Sequence, residues 1–212
     1  MTQSPSVSRA EAKERTRRAI LDAVLELTQD AQLATVSLRQ IAKEVGIVPT
    51  AFYRHFPTVE DLGLTLVDES FISLRAMLRE ARDQTALASP MGLADTSVSV
   101  LVDHVHRHRS HFAFIARERA GAAGPVREAI RHEIDLCERE LATDLARLPD
   151  LSSWPTSQLH ALSGLIVTMM VTTAEELTAA RPEHEAALTA TARTQLRMIV
   201  VGALHWKPTD PV

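Results

Sequence analysis

The sequence predicts an all-α protein, a small N-terminal unit followed by a larger helical body, and three observations predict it. Apolar residues recur at helical spacing along most of the 212 residues. No segment shows the strict alternation of a half-buried strand. Helix starts and stops, written as capping boxes, glycine ends and proline starts, punctuate the chain from Ser8 to Pro182.

The first helix is expected over about residues 9–29. Ser8 and Glu11 form a capping box, and Ile20, Val24 and Leu27 lie on one face. Its opening is basic: Arg9, Lys13, Arg15, Arg17 and Arg18 stand against Glu11 and Glu14. A charge run is commonly a solvated helix face, but its position before the next element makes it a candidate for phosphate contact.

Residues 35–56 read as two short helices hinged at one glycine. Ser37 and Gln40 make a second capping box, and Leu38, Ile41, Ala42 and Val45 keep one apolar face. Gly46 suits the left-handed conformation that closes a helix, and Pro49 suits the first turn of the next, where its missing N–H costs little. Phe52 and Phe56, four apart, point inward, leaving Thr50, Ala51, Tyr53, Arg54 and His55 on the remaining surface. This is a helix-turn-helix, and with the first helix it makes a three-helix unit for reading duplex DNA. Arg54 matches guanine O6 and N7, and Thr50 with Ala51 matches a thymine methyl. Ser37, Lys43, Tyr53 and His55, with Pro49 opening the helix and Arg15, Arg17 and Arg18 behind it, are expected at or near the phosphates that fix register. A plain packing unit of two helices is the alternative.

A long helix follows, opened by Glu60 and Asp61 and carried by Leu62, Leu66, Phe71, Leu74 and Leu78 to about Gln84. It joins the two units, so the predicted domains are residues 1–57 and 58–212. Beyond Pro90 breaks at Ser110, at 121–125, at 149–155 and at Arg181-Pro182 leave helices near 91–108, 111–119, 125–147, 156–179 and 184–206. The last two carry more apolar surface than one body buries: Leu162, Leu165, Ile166, Met169 and Met170 on one, Leu196, Ile199, Val200 and Leu204 on the other. A homodimer through these helices, on a near-palindromic operator, is the expected use.

Composition narrows the function. Apolar residues make up 45% and charged residues 24%, ordinary for a globular chain. The net charge of −4 is awkward for a DNA binder unless the positive charge is gathered at one end. There is no Gly-x-Ser-x-Gly elbow, no phosphate-cradling glycine loop and no His-Glu-x-x-His, so no enzyme class is supported and no cofactor is expected. The single Cys137 gives neither a disulfide nor a metal spacing. No leader and no membrane-spanning run is read, so a cytoplasmic protein without membrane contact is expected.

Leu66, Phe71, Phe112, Phe114, Met169, Met170 and Trp206 are candidates for an apolar ligand pocket, with ordinary core as the alternative. Arg107, Arg109, Arg117 and Arg119 cluster around the Ser110 break and could meet phosphates, or could pair with Glu118. His104, His108 and His111 share a face, with His106 nearby. No cysteine or carboxylate completes a metal set, so a hydrogen-bonding face is expected rather than zinc.

On Tyr53-Arg54-His55-Phe56 followed by Pro57-Thr58-Val59-Glu60-Asp61-Leu62, the chain resembles the TetR family of bacterial transcriptional regulators over about residues 9–66. Many members carry a phosphate-gripping lysine near position 59. Val59 stands there, which shifts the gripping toward the N-terminal arm. A closer resemblance, carried by residues 49–56, Glu60-Asp61-Leu62-Gly63-Leu64-Thr65, Val67-Asp68-Glu69-Ser70, Arg117-Glu118-Arg119 and Leu196-Arg197-Met198-Ile199, is to the repressors of unsaturated fatty-acid synthesis and desaturation. It implies control of those genes by long-chain acyl-CoA, or acyl carried on acyl carrier protein, with saturated and unsaturated chains acting differently. It also favours the pocket reading, with Arg117 and Arg119 at the phosphates. A regulator answering another apolar molecule, such as a drug or efflux substrate, is the alternative.

Overall fold

The computed structural model describes residues 8–85 and 90–208. Among the described residues there are nine α-helices, one 3-10 turn at Leu33–Thr35 and no strand: α1 (Arg9–Leu27), α2 (Leu38–Val45), α3 (Pro49–Phe52), α4 (Val59–Thr85), α5 (Pro90–Arg107), α6 (Arg109–Ala120), α7 (Pro125–Leu145), α8 (Thr156–Ala179) and α9 (Pro182–His205). The fold is all-α, as the sequence predicts.

Local chemistry sets the boundaries. Both capping boxes form: Ser8 Oγ accepts from the Glu11 N–H while the Glu11 carboxylate accepts from the Ser8 N–H, and Ser37 and Gln40 repeat the exchange. Gly46, at φ 73°, is the only described residue in the left-handed region, and it ends α2 there. Pro125 and Pro182 start their helices at positions that need no N–H partner.

Three boundaries differ from the sequence reading. α1 stops at Leu27, where Thr28 leaves the helical region at φ −95° and ψ 5° while its hydroxyl donates to Val24 O at 2.7 Å. The α5–α6 break falls at His108, whose φ of −128° and ψ of 34° leave the helical region, rather than at Ser110. The regular part of α3 ends at Phe52. Beyond it Arg54 N–H and His55 N–H bond to Ala51 O and Phe52 O, three residues back, so Tyr53, Arg54 and His55 sit on a tightened turn.

One apolar cluster runs from the N-terminal helices into the body. Ile20, Val24, Ile41, Phe52 and Phe56 from α1–α3 pack with Leu62, Leu66, Val67 and Phe71 of α4, and the same cluster takes in Phe114, Val126 and Ile130 from α6 and α7. The division at 57/58 thus falls in the chain connection before α4, and no break in packing marks it. α8 and α9 pack on α5 in separate clusters around Leu196, Val98 and Leu177.

Gly63 is the tightest point of this shared core. A Cβ there would lie 2.5 Å from Leu33 Cδ2 and 2.9 Å from Val126 Cγ2, so a hydrogen is what lets α4 touch both the Leu33 turn and α7. Gly63→Val is expected to cost about 1–3 kcal/mol by overpacking, read as a lower midpoint in thermal denaturation. An unchanged midpoint would show that the contact yields freely.

Candidate DNA interface and effector cavity

The reading surface is built by two aromatic anchors. Phe52 and Phe56 are fully buried, 5.8 Å apart, and hold the α3 turn against α1. Anchored this way, the turn presents Pro49, Thr50, Tyr53 and Arg54 to solvent, with Ala51 and His55 half-buried. Tyr53 stays 60% exposed, its ring edge-on to Phe52 with centroids 5.8 Å apart.

The structure divides the basic residues of α1. Arg17 lies with its guanidinium 4.3 Å from the Phe56 ring centroid and donates to His55 O at 3.3 Å, which ties α1 to the end of the reading turn. Arg18 donates to Asp22 and Glu69, each at 2.7 Å, and points toward α4. Of the three arginines expected at phosphates, only Arg15 is exposed without an ion pair among the described residues. Lys43 is likewise exposed on α2. Ser37 spends its hydroxyl on the cap, donating to Gln40 Oε1 at 2.7 Å and accepting from Gln40 N–H at 3.3 Å, so its side chain serves α2 before any phosphate. Lys13, another member of the basic run, lies close enough to His55 to act on it. Burial, then the charges of Lys13, Arg17 and Arg54, hold His55 below the usual histidine pKa.

In the body, the expected pocket residues do not converge on one cavity. Phe71 and Phe112 do line one, of about 40 Å³ between α4, α5 and α6, together with Ser70, Ser73, Leu74, His104, His108, His111 and Ile115. Leu66 and Phe114 are fully buried in the shared core, where they hold α4 to α6. Met169 and Met170 face α5 and α9.

The arginines near the α5–α6 break are held by protein acceptors. Arg109 donates to Leu177 O, Thr178 O and Ala180 O and pairs with Glu185, so it closes the C-terminal end of α8. Arg119 pairs with Glu175 at 2.8 Å. Arg117 donates to Gln29 O, and next to it Glu118 accepts from Leu33 N–H at 2.7 Å. These last two contacts fasten the end of α6 to the segment between α1 and α2.

The histidines beside the cavity turn ring nitrogens toward serine hydroxyls. Ser70 Oγ lies 2.9 Å from His111 Nδ1, and Ser73 Oγ lies 3.4 Å and 3.5 Å from His104 Nε2 and His108 Nε2. Burial, then the charges of His108, Arg107 and His111, lower His104 to a pKa of about 4. Burial and Arg18 also lower His111. No described group of histidine, cysteine and carboxylate side chains is arranged to hold a metal ion.

Comparison with known proteins decides the family. The family model described as bacterial regulatory proteins, tetR family, matches residues 20–64, and that of the tetracyclin repressor-like C-terminal domain matches residues 90–202. The chain belongs to the TetR family. It is therefore a DNA-binding transcriptional regulator and not an enzyme. Similar solved structures include a TetR-family regulator from Streptomyces coelicolor, at 18% identity over 91% of this chain and 97% of that one, with a TM-score of 0.70. Another is the fatty acid degradation regulator FadR from Bacillus halodurans, at 14% identity over 95% and 98%, with a TM-score of 0.68. A third is FadR from Bacillus subtilis in complex with stearoyl-CoA, at 15% identity over 87% and 98%, with a TM-score of 0.68. At these identities the likeness is one of fold. No described helix is long and apolar enough to cross a membrane.

Two outcomes follow for this TetR-family regulator. Arg54→Ala is expected to lower specific operator affinity by about 1–3 kcal/mol with an unchanged melting temperature, whereas Arg17→Ala is expected to lower both; fluorescence anisotropy and thermal denaturation separate them. His104 stays neutral in the fold down to about pH 4, while the unfolded chain protonates it near 6.5. Its contribution is therefore complete above 6.5 and is lost as pH falls toward 4. The melting temperature should fall across that window, and His104→Gln should flatten the fall.

Proposed function

We propose that this TetR-family protein is a homodimeric repressor of a near-palindromic operator, in the cytoplasm, whose affinity for DNA is set by a small effector held in the body. The observation that carries this reading is the shared core. The turn that exposes Thr50, Tyr53 and Arg54 and the cavity lined by Phe71 and Phe112 are both built on α4, so a change at one is felt at the other.

The dimer rests on α8 and α9. Thr191, Thr194, Gln195, Met198, Val201 and Gly202 are exposed along α9 without a charge, Met198 at 68%, and Ala161, Leu165, Thr168 and Thr172 continue the uncharged surface on α8. A face depleted of charge with apolar anchors suits a four-helix interface between two copies. Two-fold symmetry then sets two reading turns on successive half-sites about one helical turn apart.

For the effector, the sequence resemblance favours long-chain acyl-CoA and genes of desaturation or unsaturated fatty-acid synthesis. The stearoyl-CoA bound by the Bacillus subtilis FadR supports the class. A cavity of about 40 Å³ is well below the roughly 300–1,000 Å³ of ordinary ligand pockets. A long chain entering there parts α4, α5 and α6, and that movement is the signal: it shifts the population of α4 orientations and with it the spacing of the two reading turns. An apolar drug or efflux substrate would require the same opening.

Anisotropy with the duplex upstream of neighbouring lipid genes, at one fixed salt concentration, tests this. Specific binding by two protomers per site is expected, with palmitoyl-CoA and oleoyl-CoA changing the affinity unequally. Tight binding indifferent to both thioesters would discard the acyl-CoA effector and keep the repressor. Absence of sequence-specific binding would discard both.

A further inference from the structure

Among the described residues of α1–α3 and the turns between them, Val48 is the only large apolar side chain besides Tyr53 that is exposed, and 64% of it meets solvent. It occupies the N-cap of α3, where its side chain makes no capping hydrogen bond. Valine is among the poorest residues for that position, because it has no oxygen to accept from the free N–H groups of the first turn. The caps of α1 and α2 are both serines, and both form full capping boxes. The helix that reads is therefore the one of the three opened by a side chain that cannot cap. A lone exposed valine is ordinary on a protein surface. A valine that also displaces a cap, at the start of the reading helix, gives up stability twice in one place.

Three constraints hold this residue in one conformation. Pro49 follows it, and a residue before proline is kept out of the helical region, as its φ of −74° and ψ of 143° show. Its carbonyl accepts from the Ala51 N–H at 2.9 Å. Its β-branch stiffens χ1, so little freedom is left to lose on contact. The chemistry around it narrows what it can touch. No residue from Val45 to Tyr53 is charged, while Lys43 before this stretch and Arg54 after it are exposed cations. Val48 and Pro49 have no side-chain donor, so neither side chain can grip a phosphate. What an apolar group meets at the base edges of a major groove is the 5-methyl group of thymine.

We infer that Val48 is a specificity-determining residue, whose isopropyl group packs against the 5-methyl group of one thymine in each half-site. Cytosine at that place lacks the methyl group and presents an amino group, which the valine would strip of water without giving it a partner. Val48 thus selects a base by shape and water exclusion, beside the hydrogen bonds open to Arg54. The count of one thymine per half-site rests on the dimeric operator reading above, and nothing in the inference depends on the effector.

The test starts from a duplex selected out of a random library, free of methylated cytosine, by the unsubstituted full chain. Each thymine in it is then replaced in turn by deoxyuridine, which removes the methyl group and nothing else. Anisotropy at one salt concentration gives the affinities of the unsubstituted protein, Val48→Ala and Val48→Ser. One thymine per half-site is expected whose methyl loss weakens the unsubstituted protein about three- to fivefold and leaves both variants unaffected. The other thymines should respond alike in all three proteins. Val48→Ser gains a capping oxygen and should melt no lower than the unsubstituted protein, which separates lost discrimination from lost fold. A methyl group that matters equally to all three proteins gives the contact to Thr50 or Ala51 and overturns the proposal. A selected duplex in which no methyl group matters overturns it too. Failure to select any sequence sinks the operator reading itself, whereas a selected operator with no thymine that depends on Val48 sinks this inference alone.

Discussion

The buried stripe of α4 is the constraint on which the rest of the molecule depends. Leu62, Leu66, Val67 and Phe71 all lie within a few per cent of full burial, and they pack at once against Phe52 and Phe56 of the reading turn and against Phe114, Val126 and Ile130 of the body. Close-packed interiors do not deform smoothly. The helix is gripped on both sides, and at Gly63 a methyl group would need Leu33 or Val126 to shift. The contacts of Arg117 with Gln29 O and of Glu118 with Leu33 N–H add a second tie between body and reading unit, made of hydrogen bonds rather than packing.

Charge is used mostly for construction. Arg17, Arg18, Arg109 and Arg119 each find a ring, a carbonyl or a carboxylate within the fold, and the net charge of −4 gives DNA no general attraction. Among the described basic residues of α1–α3 and the turn after it, Arg9, Lys13, Arg15, Arg39, Lys43 and Arg54 are exposed without an ion pair and stand open to a phosphate or base edge. Affinity on such a surface depends strongly on salt, and sequence discrimination rests on few side chains.

Much of this was legible in the residues. Both capping boxes, the Gly46 end, the proline starts and the inward Phe52 and Phe56 are local, governed by interactions three or four residues apart, and local rules predicted them. The Tyr53-Arg54-His55-Phe56 segment carried the family resemblance for the same reason. The pocket was less legible. Leu66, Phe114, Met169 and Met170 have the composition of a pocket wall, yet Leu66 and Phe114 joined the core and the methionines turned to α5 and α9. The three-four spacing of His104, His108 and His111 placed them on one face, but Ser70 and Ser73, which complete their surroundings, lie more than thirty residues earlier and gave no signal of the pairing.

The sequence alone determined the helices, their order, the reading turn and the family, because each follows from periodicity, caps and a contiguous motif. Only the tertiary structure decided which arginines are held inside the fold, that one core joins the reading unit to the body, and that the cavity against Phe71 and Phe112 is small and lined with imidazoles. Those outcomes depend on which helix faces meet across long stretches of chain, and helical spacing fixes the faces without naming their partners.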